Sequence, residues 1–297
     1  NLTSKPQMWF YDVNAKVNRT LDARNRMFFS LYSGGDHTVF NKLVKGYGMD
    51  WGNATATIRW NHILNDKTNV NTSAVFSNYY YKYKSLSDGL RYVWKSNMQS
   101  YQLKSDWERY QNNLLTLKGG VNLHYFTTMP GEVGKSGKDS NITPSQMPRK
   151  SLWDAALYAE ANYKFLPHFL LNAGVRLSVL HAPASAYYAA KTFVMPEPRA
   201  ELSFIPNASH RFSVSYTQAA QSIHMLTTSS VGIPSDMWMP ANALLKPSVM
   251  RQLALGYEYN FPDKEYTLSL EAYMRRTSHV VDYRKNADIF ENDRIED

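Results

Sequence analysis

The sequence contains no cysteine among its 297 residues, so it offers no disulfide, no thiolate metal site and no thiol nucleophile. It also has no run of about 18 apolar residues, which excludes a transmembrane helix. The net charge is +8, but the lysines and arginines are spread along the chain and form no cluster. We therefore expect no nucleic-acid partner.

Recognisable enzyme motifs are also missing. The chain has no G-x-S-x-G, no P-loop and no G-x-G-x-x-G, and no spacing supports a Ser/His/acid lipase. Its eight histidines show no H-x-x-x-H or similar spacing of metal ligands. The sequence therefore predicts neither an enzyme nor a metal or cofactor site.

The chain is instead rich in aromatic residues, at 14% with 21 tyrosines, and in segments of alternating polarity. From residue 51 onward, small or apolar residues such as Ile58 alternate with polar ones such as Asn53 and Arg59. This period-2 pattern predicts half-buried β-strands. Strands of about ten residues or more are longer than the usual five or six of globular proteins.

About twelve such strands are predicted, joined as antiparallel hairpins. The connections alternate in length. The predicted short turns lie at residues 21–23, 65–67, 112–113, 166–168, 206–207 and 261–263. The predicted long links span residues 33–49, 84–96, 127–151, 181–196 and 219–248. Short turns at one end and long loops at the other are typical of outer-membrane β-barrels. A large soluble β-protein is the less favoured alternative.

A barrel wall between lipid and lumen explains the length of the strands and their two faces. Trp51 and Trp60 are separated by ~30 Å of strand. A tilt of ~40° reduces this span to ~23 Å, close to the ~25 Å apolar band of such barrels. The two residues have opposite parity, so at most one of them faces lipid. We predict that Asn53, Thr55, Arg59, Glu160, Asn172 and Arg176 point into the lumen, and that Ala54, Ile58, Leu157, Leu171 and Val175 face lipid.

The longest link, residues 219–248, differs from an ordinary linker because it combines aromatic and polar side chains with three prolines. Loops of this length in compact proteins are usually functional or disordered, and this link is too apolar for disorder. We expect it to fold over the mouth of the barrel and to contact ligand, although a loop that only closes the mouth is the alternative. The candidate ligand-binding residues, taken from this link and from the polar strand faces, are Gln221, His224, Asp236, Trp238, Arg59 and Arg176.

The segment QSIHMLTTSSVGIPSDMWMPANALLKPSVMRQLALGYEYNF resembles the barrel of TonB-dependent outer-membrane receptors, particularly those of Bacteroides-type bacteria. FYDVNAKVNRTLDARNRMFFSLYSGGDHTVF and WGNATATIRWNHILNDKTNVNTSAVFSNYYYKY resemble earlier hairpins of the same barrels. The resemblance implies that residues 1–297 form part of an antiparallel, up-and-down transmembrane β-barrel domain. They would supply about 12 strands of a 22-stranded barrel, without its N-terminal plug and its C-terminal closing strands.

The same resemblance implies a receptor in the outer membrane of a Gram-negative bacterium, which imports a scarce nutrient such as a siderophore, cofactor, glycan or peptide. Its implied partners are outer-membrane lipid and lipopolysaccharide, the TonB–ExbB–ExbD complex acting through a plug, and a surface lipoprotein. The basic charge balance favours an anionic ligand, although contact with lipopolysaccharide phosphates would produce the same bias. The alternative function is a passive porin of 12–14 strands without a plug.

Overall fold

The computed structural model describes residues 6–41, 46–87, 90–136, 143–226, 237–262 and 265–282, most of which lie in β-strands. The strands, in chain order, are β1 (Gln7–Thr20), β2 (Asn25–Asn41), β3 (Gly46–Asn65), β4 (Thr68–Ser87), β5 (Leu90–Asn112), β6 (Leu115–Lys135), β7 (Ser145–Gln146), β8 (Lys150–Leu166), β9 (Phe169–Ala182), β10 (Lys191–Asn207), β11 (His210–Gln221), β12 (Ile223–Leu226), β13 (Met237–Pro240), β14 (Ser248–Asn260) and β15 (Thr267–Ser278). No helix in these ranges is long and apolar enough to span a bilayer.

Twelve long strands form one sheet in the order β1-β2-β3-β4-β5-β6-β8-β9-β10-β11-β14-β15. Neighbouring strands are antiparallel, as in the β2–β3 and β14–β15 pairs. The two-residue β7 pairs with β6, and β12 pairs with β13 in a separate small sheet. The predicted antiparallel, up-and-down arrangement of about twelve strands is confirmed. Among the described residues, β1 and β15 each pair on one side only, so the sheet is open.

The short turns lie where the sequence predicts them. At four of them an Asp or Asn side chain accepts hydrogen bonds from backbone N–H groups two or three residues further on. These residues are Asp22, Asn65, Asn112 and Asn207, with N···Oδ1 distances of 2.7 to 3.1 Å. Such local bonds are the reason that Asp and Asn favour turns.

The predicted long links are wrong in part, because the strands continue into them. Only residues 42–45 separate β2 from β3, and only residues 88–89 separate β4 from β5. The link predicted at 181–196 shrinks to residues 183–190. Polar and apolar residues stop alternating at these ends, as in Tyr79-Tyr80-Tyr81, although the backbone ladder continues. A strand end that extends out of an apolar environment does not need a uniformly apolar face.

The register places the predicted inward and outward residues on opposite faces of the sheet. Arg59 pairs with Ser73 and Ser73 with Lys104, and the row continues through Asn122 to Ala156. We call this side the polar face and the other side the apolar face. The six residues predicted to point inward lie on the polar face, and the five predicted to face lipid lie on the apolar face.

The apolar face exposes large hydrophobic side chains, since Ile58, Leu157 and Val175 are 48%, 61% and 49% exposed. A continuous apolar surface of this kind indicates an apolar environment rather than water. Trp60 lies on this face and Trp51 on the polar face, as their opposite parity predicts.

The main hydrophobic core lies on the polar face, at the end where the long connections emerge. Its buried members are Tyr81, Trp94, Val133, Met147, Leu226, Met237 and Met239, and they come from strands that are distant in the sheet. β13 contacts β6 and β8, although it is connected to β11 and β14 on the other side of the sheet. These contacts require the sheet to curve with its polar face concave.

The Tyr158 side chain extends from β8 over Gly120 of β6 and reaches β5. Tyr158 on β8 pairs with Gly120 on β6, and its hydroxyl donates to Asp106 Oδ1 on β5 at 2.7 Å. A Cβ at Gly120 would lie 2.7 Å from the Tyr158 ring and 2.5 Å from the Ser105 carbonyl oxygen. Glycine is therefore required for the ring to lie flat on the sheet.

Replacing Gly120 with alanine is expected to lower the free energy of unfolding by about 1–3 kcal/mol, the usual cost of overpacking. Gly134→Ala is the matched control, because a Cβ there meets no described atom within 4 Å. Urea unfolding of the vesicle-inserted protein measures both values. Equal stability of the two variants would contradict the required close approach.

Candidate ligand-binding site

The connection between β11 and β14 spans residues 222–247, and we call it the flap; its described parts, residues 222–226 and 237–247, pack over the polar face. Its described part contains the β12–β13 hairpin, in which His224 pairs with Met239 and Met225 with Trp238. Because side chains alternate along a strand, one side of the hairpin is buried and the other is open. His224 and Met239 are buried, whereas Met225 is 48% exposed and Trp238 is half-buried.

The buried side of the flap packs against aromatic residues of the sheet. Met239 is fully buried and Tyr81 is 1% exposed in this contact. The aromatic side chains around it, which come from β3, β4 and β5, are Trp51, Tyr79, Tyr81, Tyr83, Tyr92 and Trp94. The described part of the flap is therefore an ordered, packed structure, as its apolar composition predicts.

The stem of the flap is held by local hydrogen bonds. The backbone N–H groups of Leu244 and Leu245 donate to Asn242 Oδ1, each at 2.9 Å. The Ala241 N–H donates to the Ser222 carbonyl at 2.8 Å, which ties the two ends of the hairpin together. Asn242 is 1% exposed, so this turn is part of the core.

His224 anchors the flap to its own stem. Its Nε2–H donates to the Lys246 carbonyl at 3.1 Å, and its Nδ1 lies 3.5 Å from Ser248 Oγ. Ser248 Oγ in turn donates to the His279 carbonyl at 2.8 Å. Burial lowers the pKa of His224, and the bond to Lys246 opposes this effect only in part. The imidazole is therefore neutral at neutral pH, and its observed contacts are structural.

The lowered pKa of His224 predicts that the flap loosens in acid. The unfolded pKa is about 6.5, so docking is fully favoured above that pH and weakens as the pH falls below it. We expect faster hydrogen exchange of the 237–247 amides at pH 5 than at pH 7, after correction for intrinsic rates. His224→Gln keeps a donor but cannot titrate in this range. If the variant responded to pH as strongly as the native protein, another group would be responsible.

A row of four aromatic rings, the aromatic rim, lies on the polar face at the outer ends of β2–β5. It consists of Phe40, Tyr47, Tyr83 and Tyr92, with successive ring centroids 4.7, 6.3 and 5.9 Å apart. Burial raises the pKa of Tyr83 and Tyr92, which keeps their hydroxyls protonated. Rings of this kind can stack on planar ligand groups while their hydroxyls form hydrogen bonds. The rim is not among the residues predicted from the sequence, although the alternate tyrosines of YYYKY are a signal for it.

Closer to the short turns, the polar face carries a charged cleft of about 480 Å³ between β5 and β10. Oppositely charged side chains are paired along it, with N···O distances of 2.7 Å for Lys104–Asp106, 2.6 Å for Arg199–Glu160 and 3.6 Å for Arg176–Glu197. Because the cations are matched by carboxylates, the cleft is polar without being a strong anion site. In the described ranges, no three His, Asp or Glu side chains are grouped to hold a metal ion.

Three of the six predicted site residues lie at the flap. Gln221 ends β11, is exposed, and donates from Nε2 to the Ile223 carbonyl at 2.7 Å. Trp238 lies on the open side of the flap and His224 on its buried side. Asp236 lies outside the described residues.

The two predicted arginines lie elsewhere, nearer the short turns. The Arg59 guanidinium stacks over the Phe28 ring at 4.2 Å. Arg176 lies in the charged cleft, where its Nε donates to Ser178 Oγ at 3.1 Å. β3 and β9 are five positions apart in the sheet. In the structure the two arginines therefore lie close neither to each other nor to the flap.

Comparison with known proteins places this architecture in a family. Residues 8–294 match the family model described as TonB dependent receptor-like, beta-barrel. A search of curated proteins found no match.

Solved structures with the same fold include the ferric-catecholate import receptor Fiu of E. coli K12, with 14% identity and a TM-score of 0.70 over 95% of this chain and 53% of that one. The ferric yersiniabactin uptake receptor FyuA of Yersinia pestis has 11% identity and a TM-score of 0.70, covering 91% and 45%. FpvA of P. aeruginosa, bound to pyoverdines, has 10% identity and a TM-score of 0.72, covering 92% and 42%. The chain thus spans about half the length of these structures. Given the family match over nearly all its residues, the chain belongs to the β-barrel family of TonB-dependent receptors, which lie in the outer membrane of Gram-negative bacteria.

Proposed function

We propose that the chain forms part of the barrel wall of a receptor that imports a scarce nutrient across the outer membrane. A plug closes this barrel and couples it to the TonB–ExbB–ExbD complex. The family match over residues 8–294 is the observation that carries the proposal. The open sheet supports it, since the edges of β1 and β15, which have no partner strand among the described residues, need one within a bilayer. We also propose that residues 1–297 form part of the barrel domain. The relation to Bacteroides-type receptors and a surface lipoprotein partner are further parts of this proposal.

The ligand meets the receptor at the outer end of the polar face. The open side of the flap supplies Trp238, and Gln221 lies beside it at the end of β11; Asp236, in the same connection, is a further candidate. His224 contributes by holding the flap, because its ring is buried and bonded to Lys246. The arginines Arg59 and Arg176 line the lumen below, where they face the plug or a ligand in transit.

A ferric siderophore is the favoured ligand among siderophores, cofactors, glycans and peptides. The named solved structures include receptors for a ferric catecholate and for ferric yersiniabactin. The aromatic rim suits planar catecholate or heterocyclic rings. The net charge of +8 favours an anionic chelate.

Trp238→Ala is expected to weaken binding of an iron-loaded catecholate to cells by at least about ten-fold, as for a typical aromatic hot spot. Trp153→Ala is the control, since Trp153 lies on the apolar face and is 52% exposed. Binding is measured with radioactive iron on whole cells, with barrel insertion checked separately. Equal affinity of the two variants would show that the flap is only a lid.

Transport measurements distinguish the proposed receptor from the alternative, a passive porin. A receptor closed by a plug conducts poorly in planar bilayers, and its uptake in cells stops when the proton-motive force is collapsed. A porin of 12–14 strands conducts steadily, and uptake through it does not depend on the proton-motive force. Steady conductance of the complete protein would overturn the receptor proposal.

A further inference from the structure

Met225 is the methionine that the flap presents on its open side. It pairs directly with Trp238 across the β12–β13 hairpin, and it is 48% exposed. Residues directly opposite each other in an antiparallel pair have Cβ atoms about 4.5–5.5 Å apart on the same face. The thioether of Met225 and the indole of Trp238 are therefore neighbours, on the side of the flap that faces away from the core.

The other two methionines of the hairpin are shielded from solvent. Met237 and Met239 precede and follow Trp238 in the sequence, but their side chains lie on the buried side of the hairpin, where they are 1% and 0% exposed. An oxidant dissolved in water reaches exposed sulfur first. Of these three thioethers, Met225 is therefore the one open to oxidation while the flap is packed.

A thioether is well suited to support an indole ring. The methionine side chain is unbranched and its sulfur is polarizable, so it adapts to an aromatic surface and favours a sulfur–ring distance of ~5 Å. The neighbouring cross-strand pair on the open side is Ile223 with Pro240. One of these side chains is branched and the other is a fixed ring, so neither can follow the indole as Met225 can.

Oxidation by a peroxide changes this support chemically. The sulfur of Met225 attacks one oxygen of hydrogen peroxide, the O–O bond breaks, and an S–O bond forms with release of water. The sulfur loses two electrons, and the peroxide gains them. The product, methionine sulfoxide, is polar and chiral, and it disrupts contacts that an apolar thioether makes.

We propose that Met225 positions the Trp238 ring and is a site of reversible oxidation, at which peroxide weakens capture of the ligand. The sulfoxide turns toward water and releases the indole, while the flap stays packed through Met239 on its other side. The effect on ligand capture rests on the function proposed above. The effect on the ring does not.

The test uses the complete receptor in detergent micelles, labelled with fluorotryptophan, with Trp238→Phe to assign the fluorine NMR signal of Trp238. Hydrogen peroxide is added until mass spectrometry of its peptides shows sulfoxide at Met225. We expect Met237 and Met239 to stay reduced, the Trp238 signal to shift, and the affinity for an iron-loaded catecholate to fall about five-fold. Reductases that act on both sulfoxide epimers should restore the signal and the affinity.

Two variants serve as controls, and each is compared with itself before and after peroxide. Met225→Leu keeps an apolar side chain that peroxide does not oxidise, and Met8→Leu removes an exposed methionine on β1. The Met8 variant should respond to peroxide as the native protein does, whereas the Met225 variant should not respond.

A Trp238 signal that shifts equally in Met225→Leu would overturn the proposal, and so would an unshifted signal in native protein that carries the sulfoxide. A shifted signal with unchanged affinity would overturn the role in ligand capture. An iron catecholate that fails to bind even before oxidation would overturn the proposed ligand alone, because the mass and fluorine measurements need no ligand.

Discussion

Met239→Asp is expected to detach the flap from the barrel wall. Met239 is fully buried between the flap and the aromatic residues of β4 and β5. An unpaired carboxylate there would cost several kcal/mol, roughly 3 or more, by the usual penalty for a buried unpaired charge. Lifting the flap avoids that penalty. We expect the 237–247 amides to exchange rapidly and the flap to become sensitive to protease.

Met225→Asp is the matched control for this result. Met225 lies on the same hairpin but on its open side, where it is 48% exposed, so a carboxylate there stays in water. Its flap should exchange at the native rate. If both variants loosened the flap equally, a general intolerance of charge in the hairpin would explain the result, and the packing of Met239 would not be its cause.

Ile58→Arg is expected to destabilise the inserted barrel by ~2–4 kcal/mol, the cost of an arginine on the lipid face near the bilayer midplane. Ile58 is seven residues from the short-turn end of β3 and lies on the apolar face. Thr57→Arg is the control, because its side chain points to the polar face one residue away. Unfolding of both variants from lipid vesicles measures the difference. A larger loss for Thr57→Arg would invert the assignment of the faces.

The strands and their faces could be predicted because each residue carries the signal locally. Along β3 the polarity alternates from Asn53 to Asn61, and one hairpin partner is enough to set the register. The outer strand ends could not be predicted in this way. Beyond the bilayer the alternation fades, while the ladder from Tyr79 to Ser85 continues without it.

The candidate site was predicted only in part, because its contacts join distant segments. The composition of the 219–248 link indicated a folded connection, and Trp238 does lie on its open side. The roles of His224 and Met239 depend on Lys246 and on strands more than a hundred residues away, which no local pattern encodes. The bridge from Tyr158 to Asp106 is invisible for the same reason.

The order of the sheet also bears on how the chain assembles. In the described residues, each long strand pairs with the strand before or after it, so the sheet can grow hairpin by hairpin with only short loops to close. The flap is different, because its contacts with β4–β6 require β11 and β14 to be in place as well. Contacts of such high sequence separation form late in folding. The flap can therefore pack in place only after strands β4–β6, β11 and β14 have all joined the sheet. A flap that does not pack would leave Tyr81 and Trp94 exposed, which would mark an incompletely folded barrel.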